Sequence, residues 1–198
     1  MTRLILASSS ATRAALLRAA GLDFEARPAA VDEAALKAAA QAESMPPADA
    51  AILLAEAKAE RIARREPEAL VIGADQLLVC EERWFDKPED VTAAREQLRA
   101  LRGRTHTLFT AMVAWRHGRR VWQHVARPRL TMRDFSDAFL ERYLAAEGEA
   151  VTYSVGAYRL EGLGIQLFRE VEGEHSGILG LPLLPLLGFL RQHGALEG

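Results

Sequence analysis

The sequence predicts an α/β fold, on three observations: short apolar runs alternate with helical patterns, the run Leu70–Ala74 (LVIGA) is continuous enough for a strand buried on both faces, and charged or hydroxyl side chains follow the ends of such runs. Leu4–Ala7 is the first strand. Thr12–Ala20 follows as a helix with Gly21 as its stop, and Phe24–Arg27 as a short strand ended by Pro28. A second helix is expected from Ala48 to Arg65, between Pro46–Pro47 and Pro67. Leu70–Ala74, extended by Leu77–Cys80, is the central strand, with a turn around Glu82 and Arg83. Val91–Arg102 reads as a helix closed by Gly103, and Thr105–Trp115 and Val121–Met132 as a long hairpin about His117 and Gly118. Ser136 or Asp134 caps a helix reaching Glu147, where Gly148 ends it. Six glycines punctuate residues 155–180, with a strand at Ile165–Phe168. Leu179–Leu190, twelve apolar-rich residues with two prolines, suits a buried terminal helix.

With 198 residues, 49% of them hydrophobic and 26% charged, the chain is long enough to bury a core, and we expect one domain over residues 1–198. A formal net charge of −2 offers no field for a nucleic-acid polyanion, although a few focused cations suffice for a small phosphorylated ligand. Cys80 is the only cysteine, which excludes an intramolecular disulfide and fits a reducing compartment. The apolar run in MTRLILASSS is too short for a signal-peptide core, and no stretch reaches the length of a membrane span, so the expected location is cytoplasmic.

Candidate chemistry begins at LILASSSATR. A strand there breaks into Ser8, Ser9 and Ser10 and then Arg13 at a helix start, an arrangement that either caps the helix or turns N–H groups and hydroxyls toward an anion. Asp75 sits at the carboxyl end of the central strand, the usual ligand edge of an α/β sheet, where the alternative is a turn cap. Lys58 shares a helix face with Leu54 and Ile62, an amine on an apolar stripe that either snorkels to water or points into a cleft. Asp32 and Glu33 carry the hard oxygens magnesium needs, or are surface acids, and Lys87 in FDKP is a further cation. His106 and His175 stay open, whereas His117, His124 and His193 show no ligand spacing. No HExxH, GxSxG or GxxxxGK[ST] pattern occurs. Trp84, Trp115 and Trp122 are core or interface residues by default.

In order along the chain, LILASSSATRAALL, VDE at 31–33, AEAKAE around Lys58, VIGADQ, DKP, LRGRTHTLFT and EGLGIQLFREVEGEHSGILGLPL resemble the Maf family of nucleotide pyrophosphatases. The resemblance implies an elongated mixed sheet with two lobes around a cleft, related to the inosine-triphosphate pyrophosphatases, and often a homodimer. It implies hydrolysis of a nucleoside triphosphate to monophosphate and pyrophosphate with a divalent metal, Mg or Mn. Ser8, Ser10, Arg13, Lys58 and Lys87 would contact phosphate; Glu33 and Asp75 would hold the metal, and Asp75 would accept a proton from water. Gln76 and Glu161 resemble the subgroup acting on 7-methylguanosine triphosphate, and a carboxylate suits a guanine edge. Thr12 departs from both that subgroup and the one acting on dTTP and UTP, which stays the alternative substrate class. A nucleotide-binding regulator of septum formation and cell division is the second alternative.

Overall fold

The computed structural model describes residues 2–197, and its α/β architecture is the predicted one. Eight strands hydrogen-bond in the order β2-β1-β3-β5-β7-β8, with β4 on β3 and β6 on β5. They are β1 (Leu4–Ala7), β2 (Glu25–Ala26), β3 (Leu70–Cys80), β4 (Arg83–Phe85), β5 (Thr105–Arg116), β6 (Arg119–Ala126), β7 (Arg129–Met132) and β8 (Phe168–Glu172). The helices are α1 (Ala11–Ala19), α2 (Glu33–Ala42), α3 (Pro47–Ala63), α4 (Val91–Leu101), α5 (Asp137–Glu147), α6 (His175–Ile178) and α7 (Leu183–Gln192). The chain divides into two compact units. The first holds residues up to Gln76, Phe109–Ala126 and the chain from Glu174 onward; the second holds Leu77–Leu108 and Arg127–Gly173.

In the first unit β1 pairs in parallel with both β2 and β3, so β1 stops beside Gly73 while β3 continues past it to Cys80. Successive strand residues face opposite ways. Leu4 and Leu6 of β1, Leu70, Ile72 and Ala74 of β3, and Met112 and Ala114 of β5 therefore share one core with Leu17 of α1 and Leu186, Phe189 and Leu190 of α7. The other parity of β3 carries Val71, Gly73 and Asp75, and Gly73 meets α3. A Cβ at Gly73 would overlap the carbonyl oxygen of Ala55 and stand 2.9 Å from the Ala59 Cβ. Ala51, Ala55, Ala59 and Ala63 recur every four residues and are all buried, which gives α3 the thin face this approach needs.

Several boundaries differ from expectation for identifiable reasons. No helix was expected over residues 33–42, yet α2 forms there because its alanine-rich run has high propensity and Asp32 accepts a hydrogen bond from Ala35 N at 3.0 Å. The acidic pair is thereby split: Asp32 caps, and Glu33 is the first helical residue. The expected turn at Glu82 and Arg83 lies one residue earlier, with Glu81 at φ 57°, and Arg83 opens β4. The β5–β6 hairpin turns at His117 and Gly118, both with positive φ, as a two-residue turn of matching twist requires. Its second arm stops at Ala126, because Pro128 lacks the N–H a continuous strand would use, and β7 begins at Arg129. Ile165 lies in a 3₁₀ segment (Leu163–Leu167), so the strand starts at Phe168 and runs to Glu172. Ser136, not Asp134, caps α5.

In the second unit His106 and Tyr158 form a buried pair, His106 Nε2 to Tyr158 Oη 2.9 Å, with Phe168 edge-on to Tyr158. His106 therefore serves the core of its unit. Burial lowers its pKa from the usual 6.5 to about 4.

Two predictions follow from this packing. Gly73→Ala should lower unfolding free energy by about 2 kcal/mol or more, since backbone must move, whereas Gly188→Ala, in open space on α7, should raise it by about 0.5–1 kcal/mol. Urea titrations with unchanged m-values check both. His106 is neutral in the fold and charges more readily when unfolded, so its contribution is intact above pH 6.5 and is lost as pH falls toward 4. The loss should approach about 3 kcal/mol, and His106→Asn should flatten that limb of a stability-versus-pH curve between 6.5 and 4.

Candidate functional site

The site is built where β1 stops beside β3. Asp75 lies in the middle of β3, not at its carboxyl end as expected, because the strand continues through Leu77–Cys80 to pair with β4. Ser8 follows β1 and is buried; Ser10 takes the N-cap of α1, accepting from Arg13 N at 3.3 Å, while Ser10 N donates to Ser8 Oγ at 3.2 Å. The capping reading is therefore the one these contacts show. The half-buried Arg13 donates through Nε to Gly180 O (2.8 Å) and through Nη1 to Ala74 O (2.9 Å) and Ser8 Oγ (3.3 Å). Desolvation lowers its pKa below the usual arginine value, and the nearby Asp75 and Glu33 oppose that shift. A guanidinium has five N–H donors, and Nη2 is the nitrogen of Arg13 that makes no hydrogen bond among the described residues.

Ala74, which receives Arg13, directly precedes Asp75. Asp75 is 4% exposed, and its Oδ1 accepts from Lys58 Nζ at 2.5 Å. Lys58, 7% exposed, also lies 2.9 Å from Glu33 Oε1, so one ammonium bridges two carboxylates. Of the two readings of Lys58, the structure places its amine inward, buried against Glu33 and Asp75. The second oxygen of Asp75, Oδ2, is buried and accepts no hydrogen bond among the described residues. Glu33, by contrast, is 44% exposed at its side chain.

Gln76 has the opposite strand parity and faces away from Lys58. Its Nε2 lies 2.8 Å from Thr110 Oγ1, 3.0 Å from Ile178 O and 3.2 Å from Gly177 O. Thr12 is the second residue of α1. Ser8, Ser10, Thr12, Arg13, Glu33, Lys58, Asp75 and Gln76 all belong to the first unit. Lys87 and Glu161 belong to the second, Lys87 exposed between β4 and α4, and Glu161 exposed with its Oε1 3.6 Å from Arg159 Nε. His175 is exposed at the start of α6. Sequence reasoning missed the acceptors that hold Arg13, because Ala74 and Gly180 act through backbone carbonyls. It also missed Thr110, whose only signal was a hydroxyl in the apolar run LFTAMVAW.

Two carboxylates do not make a closed metal cage, and no group of three His, Cys, Asp or Glu residues suited to a metal occurs among the described residues. The pair does fit a magnesium-like cation, which takes one or two carboxylates and completes its shell with water and phosphate oxygens. The buried, unengaged Oδ2 of Asp75 is the observation that supports this fit. No helix among the described residues is long and apolar enough to cross a membrane.

Fold and site together define an α/β protein with an arginine–serine cluster and a carboxylate–lysine–carboxylate bridge where β1 stops beside β3. Residues 3–193 match the family described as Maf-like protein. The chain is 57% identical over 194 residues to a nucleoside triphosphate pyrophosphatase of Granulibacter bethesdensis, covering 98% of both chains. It is 54% identical to a nucleoside triphosphate pyrophosphatase of Rhodospirillum rubrum (97% and 95% covered) and 53% identical to a 7-methyl-GTP pyrophosphatase of Rhizobium meliloti (98% of both). The chain belongs to the Maf family.

Breaking the bridge has a predictable cost. Lys58→Met leaves Asp75 buried without its cation and should destabilise by about 3–5 kcal/mol, most of it recovered when Asp75→Asn is added. Denaturant titration of the two single variants and the double variant measures this coupling.

Proposed function

We propose that this chain is a nucleoside triphosphate pyrophosphatase that cleaves between the α and β phosphates, and that residues 1–198 act as one Maf-like unit. The observation that carries the reading is the direct link between the two halves of the site: Arg13 is anchored on the carbonyl of Ala74, one residue from Asp75. A phosphate chain seated on Ser8, Ser10 and Arg13 is then held beside a buried carboxylate.

Within this reading Arg13 Nη2 and the α1 N-terminus receive phosphate oxygens. Asp75 Oδ2 is the atom that orients the attacking water and takes its proton, while Lys58 fixes Oδ1 and so sets the carboxylate plane. Glu33 and Asp75 would hold a divalent cation, Mg or Mn, whose chemistry is to offset phosphate charge and ease deprotonation of water. Lys87 supplies a further cation for charge that grows on the departing pyrophosphate.

The base is assigned to the 7-methylguanosine class, with Thr12, Gln76 and Glu161 as the residues that select it. A relative at 53% identity named 7-methyl-GTP pyrophosphatase supports this over the pyrimidine alternative, dTTP or UTP. The partner is then a small nucleotide in the cytoplasm, and the assembly a homodimer.

Pyrophosphate release from dTTP, UTP, CTP, GTP and 7-methylguanosine triphosphate, each with Mg or Mn, tests the proposal. The methylated guanine should be preferred, chelation should abolish release, and Asp75→Asn should lower kcat by about 10²–10⁴-fold. Full activity in Asp75→Asn would remove its role as base, and release from none of the five would remove the activity.

A further inference from the structure

We propose that Thr110 is a positioning residue that, with Gln76, fixes the phosphate-binding arginine through the turn following α6. The inference rests on the reading of Arg13 as a phosphate ligand.

Thr110 is fully buried on β5, and its parity sets it on the face of Gln76 and the α1–α7 core, away from Lys58. Its hydroxyl accepts from Gln76 Nε2 at 2.8 Å and donates to Gly177 O at 2.9 Å. Gln76 Nε2 reaches Gly177 O and Ile178 O as well. Gly177 O also accepts from Gly180 N at 3.2 Å, so one carbonyl collects the clasp and the turn. Gly180 then presents its own carbonyl to Arg13 Nε at 2.8 Å. Its φ of +100° is in the region glycine favours, and a Cβ there would lie 3.3 Å from Arg13 Nε.

This relay matters because of what it leaves undone. Gly180 O, Ala74 O and Ser8 Oγ are neutral acceptors: they set the plane of the guanidinium without pairing its charge, and they leave Nη2 for a ligand. If the turn loosens, Nε loses its carbonyl, and the fork can rotate about its remaining bonds. A misplaced fork binds an anion less well and stabilises its reaction less well. Residue 76 therefore acts on the phosphate arm as well as on any base it selects.

Thr110→Val keeps shape and strand propensity but removes both hydrogen bonds. Its affinity for inorganic tripolyphosphate, measured by calorimetry, and its kcat/KM for pyrophosphate release should each fall roughly tenfold. Thr110→Ser should restore both, and Gln76→Met should reproduce the loss if the valine variant fails to fold. In an Arg13→Lys background, where no fork exists to orient, Thr110→Val should have little further effect. Unchanged tripolyphosphate affinity in Thr110→Val, or an equal loss in both backgrounds, would overturn the proposal. If the parent chain releases no pyrophosphate, the enzymatic reading fails, and the tripolyphosphate cycle still decides the relay.

Discussion

The closeness of α3 to β3 is the constraint on which the site depends. Gly73 lets the helix backbone approach until Ala55 and Ala59 touch the strand, and that distance, not any property of Lys58 itself, carries the ammonium to Asp75. A buried ion pair stabilises little by itself, since desolvating two charges offsets most of their attraction. Its geometry must be imposed by surrounding apolar packing, and the alanine stripe of α3 imposes it. Lys58 is then held between a buried and a half-exposed carboxylate, and its ammonium gives Asp75 Oδ1 a partner in a place where an unpartnered carboxylate would be costly.

Strand parity divides the chemistry. Asp75 points to the α3 face, where its neighbours are charged; Gln76 points to the α1–α7 face, where its neighbours are a hydroxyl and two carbonyls. The backbone between them is also in use, since Ala74 O holds Arg13. Three consecutive residues of one strand thus carry a buried carboxylate, the carbonyl that holds Arg13 and the amide that holds the turn, without competing for space. A one-residue slip of β3 would exchange the faces of Asp75 and Gln76 and dismantle all three.

Much of this was legible in the sequence where local chemistry decides. LVIGA followed by Asp75 marked a buried strand, although the strand runs on past the carboxylate to Cys80, and SSSATR marked the helix cap that Ser10 forms. The four-residue spacing of Leu54, Lys58 and Ile62 located the unusual lysine but left its direction open, because the direction depends on how near the next strand lies. That distance is set by a glycine fifteen residues away in sequence. The α2 helix begins at the acidic pair that reads as a possible metal site, and Val121–Met132, which reads as one strand, is split by Pro128 into β6 and β7. The acceptors on Arg13 left no trace in side-chain identity: Ala74 and Gly180 contribute carbonyls, and only the fold brings them to one guanidinium.

The two cations of the first unit are prepared in opposite ways. Lys58 is held by anions, so its charge is already committed, and its role is to fix a carboxylate. Arg13 is held by neutral oxygens, so its charge remains available at short range, as the proposed phosphate contact requires. Desolvation lowers the Arg13 pKa, yet an arginine starts so high that the group stays protonated, and burial then strengthens its pull on phosphate by reducing competition from water. A lysine at position 13 could not be held in this way, for a single nitrogen cannot answer two carbonyls and still present a directed pair of donors. An arginine at 58 is not an equivalent either, since a larger planar guanidinium would have to fit where Lys58 is 7% exposed between two carboxylates. The choice of each cation follows from the acceptors around it, and those acceptors are fixed by the packing of α3 on β3 and of the 176–180 turn on β5.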